Sequence, residues 1–119
     1  VLEHCDAAGS SHPPVKGFLS LEAEIDAVLG AGAGTGITVN WARSVIEQRD
    51  VAAPLRHVKL ALEAGVLAGA VLSGCAPVAT EFGAAWDDVH LPPGSQWQER
   101  VAVVALSLAA AQTAGWLSR

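Results

Sequence analysis

Apolar residues along the chain fall into short runs with β-like spacing that alternate with longer runs at helical spacing. Val1 to His4 is the first β-like run, and it turns polar at its carboxyl end, as strands of barrels and doubly wound sheets do at their functional edge. Residues 7–17, with Gly9, Ser10, Ser11, Pro13 and Pro14, carry too many breakers to be anything but loop. Ser20 then N-caps a helix in which Leu21, Ile25, Val28 and Leu29 recur at helical spacing, Glu24 sits just beyond the capping-box position and Gly30 is the stop. Ile37 to Asn40 is the second strand, and Trp41 to Gln48 starts a short helical turn. Pro54 falls in the first turn of the next helix, with Leu55, Val58 and Leu62 on one face and Gly65 at its end. Leu67 to Ser73 is a third strand, apolar on both faces, as a parallel strand covered by helices should be.

Two further segments need a choice of reading. The glycine-rich GAGAGTG stretch from Gly30 to Gly36 has Thr35 where a dinucleotide fingerprint needs its third glycine, and a strand rather than a helix follows, so it reads as a helix stop and loop. After a long loop from Gly74 to Gln96, the chain runs from Trp97 to Trp116 as one helix, with Val101, Val103, Val104, Leu106 and Leu108 apolar nearly all round. A bilayer crossing takes about 20 consecutive apolar residues. Gln112, Thr113 and Gly115 interrupt this run, so a packed helix is predicted and no membrane partner. Strand and helix alternate without hairpin signals, which predicts an α/β fold of parallel β/α units.

Composition narrows the functional classes. Seven Lys plus Arg against twelve Asp plus Glu give a formal charge of −5, and no basic cluster is present to grip a polyanion, so nucleic acid is not an expected partner. Hydrophobic residues make up 51% of the 119, too many for a chain that stays disordered. Cys5 and Cys75 show neither CxxC nor metal-knuckle spacing and read as free thiols, and no signal-peptide pattern is visible, so a cytoplasmic location is expected. No Met occurs, which together with the strand-like opening predicts a piece of a longer protein.

In parallel β/α units the reactive groups gather where strands end. The first strand end offers Glu3, His4 and Asp6; the second offers Asn40 and Arg43; the third offers Ser73 and Cys75, with Asp87, Asp88 and His90 in the loop beyond. Strand alternation sends Glu3 and Cys5 to one side and His4 and Asp6 to the other, so only one pair faces a barrel interior. Asp88 and His90, two residues apart, put an oxygen and a nitrogen ligand on the same side of an extended segment.

The stretches EHCDA, KGFLSLE and NWARS, the segment Gly36 to Arg43, and Asp88-Val89-His90-Leu91-Pro92-Pro93-Gly94 resemble the second half of a xylose-isomerase-like TIM barrel. More closely, they resemble an actinobacterial family of such barrels. That resemblance implies strands five to seven of a (β/α)8 barrel, with residues 1–119 forming a single domain or a fragment of one. It implies an isomerase or epimerase acting on a small carbohydrate or sugar phosphate, with Glu3 and His90 catalytic. Glu3, Asp88 and His90 would hold a divalent metal (Mn, Mg or Zn), and Arg43, Asn40 and Lys16 would contact the substrate. Asn40 and Arg43 stand where many members of the superfamily have Asp and His. Arg43 is a permanent cation that repels a metal and welcomes a carboxylate or phosphate. A catalytically silent sugar-binding barrel is therefore the alternative, and a fragment without function the third. A half barrel would also self-associate through its exposed edges.

Overall fold

The structure is a computed structural model that describes residues 1–4, 19–89 and 91. The element order is β1 (Leu2–His4), α1 (Leu21–Ala31), β2 (Ile37–Asn40), α2 (Trp41–Gln48), α3 (Ala53–Glu63) and β3 (Leu67–Val71). The strands form one parallel sheet of three in the order β1-β2-β3, with Glu3 opposite Thr38 and His4 opposite Val39. This is the α/β fold expected, at the level of consecutive parallel β/α units. The predicted helix from Trp97 to Trp116, the loop over residues 7–17, and Cys5, Asp6, Lys16 and His90 lie outside the described residues. Among the described residues no helix is long and apolar enough to cross a membrane.

Sheet alternation sorts the side chains. His4, Ile37 and Val39 share the face covered by helices, and each is 0% exposed. Ile37 and Val39 pack with Leu21, Ile25 and Val28 of α1, Val58 and Ala61 of α3, and Val66 to form the main core. A second cluster joins Trp41, Ala42, Val45 and Ile46 of α2 to Cys75, with Leu55 and Trp86 against it. That second cluster ties α2 to the segment following β3.

Local signals explain most element ends. The Ser20 hydroxyl accepts a hydrogen bond from the Ala23 N–H at 3.3 Å and starts α1, as expected. The helix does not stop at Gly30 but runs to Ala31. Gly32 ends it with φ +87°, a conformation that suits glycine, and donates its N–H to the Leu29 carbonyl at 3.3 Å. A glycine within a helix costs only about 1 kcal/mol, so Gly30 alone is no stop.

In α3 the buried stripe is Pro54, His57, Val58 and Ala61, spaced i, i+3, i+4, i+7, whereas Leu55 and Leu62 are half-buried. The expected stripe was rotated because His57, polar by type, finds hydrogen-bond partners indoors. The third strand is also shorter and less covered than expected. It ends at Val71, is half-buried for most of its length, and forms one edge of the described sheet, with β1 at the other.

The loop beyond β3 is locally structured. Gly74 pairs with Leu91 in an antiparallel bridge, Thr80 pairs with Gly83, and the Trp86 N–H donates to the Ala76 carbonyl at 2.8 Å.

The tightest backbone approach is at Gly36, where an added Cβ would lie 2.9 Å from the Ala68 Cβ and 3.0 Å from the Val66 carbonyl oxygen. That oxygen accepts the Ile37 N–H at 2.7 Å and cannot easily yield. Gly36→Ala is therefore expected to destabilise the fold by about 1–3 kcal/mol, read as a lower midpoint in denaturant unfolding. An unchanged midpoint would show that the sheet relaxes freely there.

Candidate functional site

Asn40 is the last residue of β2 and the N-cap of α2, so its side chain is fixed from both directions. Its Oδ1 accepts from the Arg43 N–H at 3.4 Å and from the Ser73 hydroxyl at 3.1 Å, while its Nδ2 donates to Glu3 Oε1 at 2.8 Å. Glu3, Asn40 and Ser73 thus converge from the carboxyl ends of three neighbouring strands or the residues just beyond them. Asn40 and Ser73 are buried and Glu3 is exposed, which leaves a carboxylate facing outward on a rigid polar footing. The Arg43 guanidinium, from the first turn of α2, forms an ion pair with Asp88. Arg43, expected to contact a substrate, thus carries an Asp88 carboxylate on its guanidinium. Asp87 does something else: its Oδ2 accepts the Ala84 N–H at 2.8 Å within the loop.

These positions bear on the expected metal set. Glu3 accepts from the Asn40 amide and Asp88 faces the Arg43 guanidinium, so each carboxylate already meets a nitrogen donor. The described strand-end residues therefore fit a metal poorly.

A second polar cluster lies on the opposite face of the sheet, where His4 points between the helices. Its Nδ1 meets Glu24 Oε2 of α1 at 2.7 Å, and its Nε2 meets Glu47 Oε2 of α2 at 2.9 Å. Burial acts to lower the His4 pKa, but the hydrogen bonds and charges of Glu47 and Glu24 outweigh it, and the net shift is upward. With a carboxylate oxygen at each ring nitrogen, the imidazolium form of His4 is the one that can donate to both. Burial likewise raises the Glu24 pKa, offset in part by His4.

His57 of α3 meets the His4 ring edge-on, with centroids 5.1 Å apart. Burial and then the positive charge of His4 push its pKa down to about 4, so it is neutral. Its tautomer follows from its neighbours. Arg56 donates to Gln48 Oε1 at 2.7 Å, which turns the Gln48 amide nitrogen toward His57 Nε2 at 2.9 Å. The proton then sits on His57 Nδ1 and is donated to the Ser44 hydroxyl at 2.9 Å, which in turn donates to the Asn40 carbonyl at 3.0 Å. Ser44 is fully buried with its proton committed, so the pair orients Asn40 and is no nucleophile.

Sequence reasoning named Glu3, His4, Asn40, Arg43, Ser73 and Asp88 but missed Ser44 and His57. Glu24 stands out in the sequence only as a residue near the capping-box position, and Glu47 carries no signal of its own. The alternation of Glu3 and His4 held the signal: if Glu3 faces outward, His4 must enter the helix layer, and a buried histidine needs partners there.

A cleft of about 540 Å³ lies at the other end of the strands, lined by residues such as Thr35, Gly36, Gly65 and Val66, and no acidic or basic side chain lines it. The hydrogen-bonded polar groups Glu3, Asn40 and Ser73 gather instead at the carboxyl ends, where parallel β/α proteins generally place their sites.

These features define an α/β protein with a polar strand-end site. The chain matches over residues 1–114 the family described as a domain of unknown function, DUF4862, and it belongs to that family. It is also similar to an uncharacterized protein of Salmonella typhimurium, at 41% identity over 92 residues, which are 77% of this chain and 28% of that protein. The chain thus spans under a third of that relative's length. No solved structure matches it.

His4→Ala leaves Glu24 and Glu47 facing each other without their shared imidazolium and should cost about 3–5 kcal/mol in chemical denaturation. Lys59→Ala, which breaks an exposed pair at 3.7 Å with Glu63, should stay within about 0.5 kcal/mol; equal effects would mean that the His4 cluster contributes no more than a surface pair. The Cys75 thiol is pushed up to about 11 by burial, against the lowering effect of Arg49. In the native protein at neutral pH it should resist iodoacetamide and become reactive only on unfolding, as peptide-resolved mass spectrometry would register; fast native labelling would contradict its burial.

Proposed function

We propose that this chain contributes the strand-end site of an isomerase- or epimerase-like enzyme acting on a small carbohydrate or its phosphate, within part of a (β/α)8 barrel. The observation that supports it best is the convergence of Glu3, Asn40 and Ser73 at the carboxyl ends of three consecutive parallel strands, with Arg43 one turn into the helix that Asn40 caps and its guanidinium paired with Asp88. In this reading the outer edges of β1 and β3 pair with further strands, of the same polypeptide or of a second copy.

The chemistry is proton transfer at a carbon next to a carbonyl. One oxygen of Glu3 is held by the Asn40 amide, which orients the carboxylate and leaves the other oxygen to take the proton from carbon. The electron pair left behind moves onto the substrate carbonyl oxygen and gives an enediolate. Return of a proton to the opposite face of the same carbon completes epimerisation; return to the neighbouring carbon, with the hydroxyl proton passing to the enolate oxygen, completes isomerisation. Arg43, paired with Asp88, attracts the anionic end of a sugar acid or phosphate. Lys16 and His90 join this reading as further substrate and acid–base groups.

The Arg43–Asp88 pair also favours a second reading, a sugar-binding barrel without catalysis, because a cation already neutralises the acidic loop. Proton exchange separates the two. The full-length protein should wash deuterium from D₂O into the carbon next to the carbonyl of at least one aldose, ketose, sugar acid or sugar phosphate, followed by NMR. Glu3→Gln should slow that exchange by roughly 10²-fold or more while keeping substrate binding. Binding without exchange would establish the silent reading, and neither binding nor exchange would sink both.

A further inference from the structure

We propose that His4, Glu47 and His57 form a zinc site on the helix-covered face of the sheet, separate from the strand-end site. Each offers a ligand atom, and these atoms lie within 4.8 Å of one another. The three come from β1, α2 and α3, so one ion would clamp three elements around a single point.

The spacing suits a small tetrahedral ion. His4 Nε2 and Glu47 Oε2 are 2.9 Å apart, close to the ligand-to-ligand edge of about 3.3 Å that bonds of about 2.0 Å impose. Two imidazoles and a carboxylate are a borderline donor set that zinc accepts readily, leaving a fourth position for water.

The outer support is already in place. Glu24 takes the Nδ1 proton of His4 at 2.7 Å, and a ligating histidine characteristically donates its second nitrogen to such a carboxylate. This fixes the ring with Nε2 directed at Glu47. His4 and His57 are 0% and 3% exposed, so neither ring has bulk water competing for it. On binding, zinc replaces the proton bridging His4 and Glu47, and that proton leaves to solvent. His57 exchanges one of its hydrogen bonds, to Ser44 or to Gln48, for the metal. Strand alternation keeps this site apart from Glu3, which lies on the other face.

The test uses the full-length protein stripped with chelator and titrated with Zn²⁺ alone against a chromophoric competitor. One equivalent should bind, X-ray absorption should show imidazole scattering around the zinc, and Co²⁺ in its place should give visible ligand-field bands. His57→Gln and Glu47→Gln should each weaken binding at least tenfold, whereas Glu3→Gln should leave it unchanged. Absence of binding by the wild-type protein would overturn the proposal, as would zinc without imidazole scattering or loss of binding on Glu3→Gln. Should the His57 and Glu47 variants fail to fold, the wild-type absorption spectrum decides by itself.

Discussion

A β-strand sends successive side chains to opposite faces, and at the end of β1 that rule divides the polar chemistry of this chain in two. Glu3 goes to the open face and meets Asn40, while His4 goes into the helix layer and meets Glu24 and Glu47. Neither placement is negotiable for the other residue. A register slip by one position would drive Glu3 into the core and expose His4, leaving a buried carboxylate and two stranded glutamates. The polar pairs on both faces therefore specify the register of a strand only three residues long.

Asn40 and α2 connect the halves. Because α2 starts directly after β2, Asn40 is strand end, helix cap and site residue at once. One turn on, Ser44 reaches back to the Asn40 carbonyl, and its hydroxyl is held by His57 from α3. Glu47 and Gln48, a further turn along, serve His4 and His57. The chain Arg56, Gln48, His57, Ser44, Asn40 has a single donor direction, so the placement of the Asn40 amide next to Glu3 depends on hydrogen bonds from the far side of the sheet. This is positional support transmitted through packed and fully paired groups. It holds the Glu3 carboxylate through residues of β2, α2 and α3.

Much of this was legible from residue types and spacing because it rests on local rules. Ser20 capping α1, Ile37–Asn40 as a strand and Trp41–Gln48 as a helix all follow from side-chain chemistry within a few positions. Glu3, Asn40, Ser73, Arg43 and Asp88 were found because parallel topology gathers strand ends. What stayed hidden depends on how helices rotate against the sheet. His57 was invisible because a histidine in an otherwise apolar stripe scores as a solvent residue until its partners are known. The end of α1 slipped from Gly30 to Gly32 because backbone angle, not residue type alone, ends a helix. The partner of Arg43 depended on the path of the loop after β3, which brings Asp88 back over α2.

That loop also bears on what the strand-end site can recognise. Arg43 is 9% exposed, and a guanidinium this buried needs a carboxylate or an equivalent acceptor at all times. Asp88 supplies it from a segment whose course is fixed by the Gly74–Leu91 bridge and by Trp86, over which the Arg49 guanidinium sits 4.4 Å from the ring centroid. An anionic ligand reaching Arg43 must either share the guanidinium with Asp88 or take its place, and taking its place would release the loop. Under the proposed carbohydrate chemistry, a neutral ligand would face no such competition and would meet only the Glu3, Asn40 and Ser73 groups. In that reading, the charge of the ligand would decide whether binding disturbs the ion pair that holds Asp88 over α2.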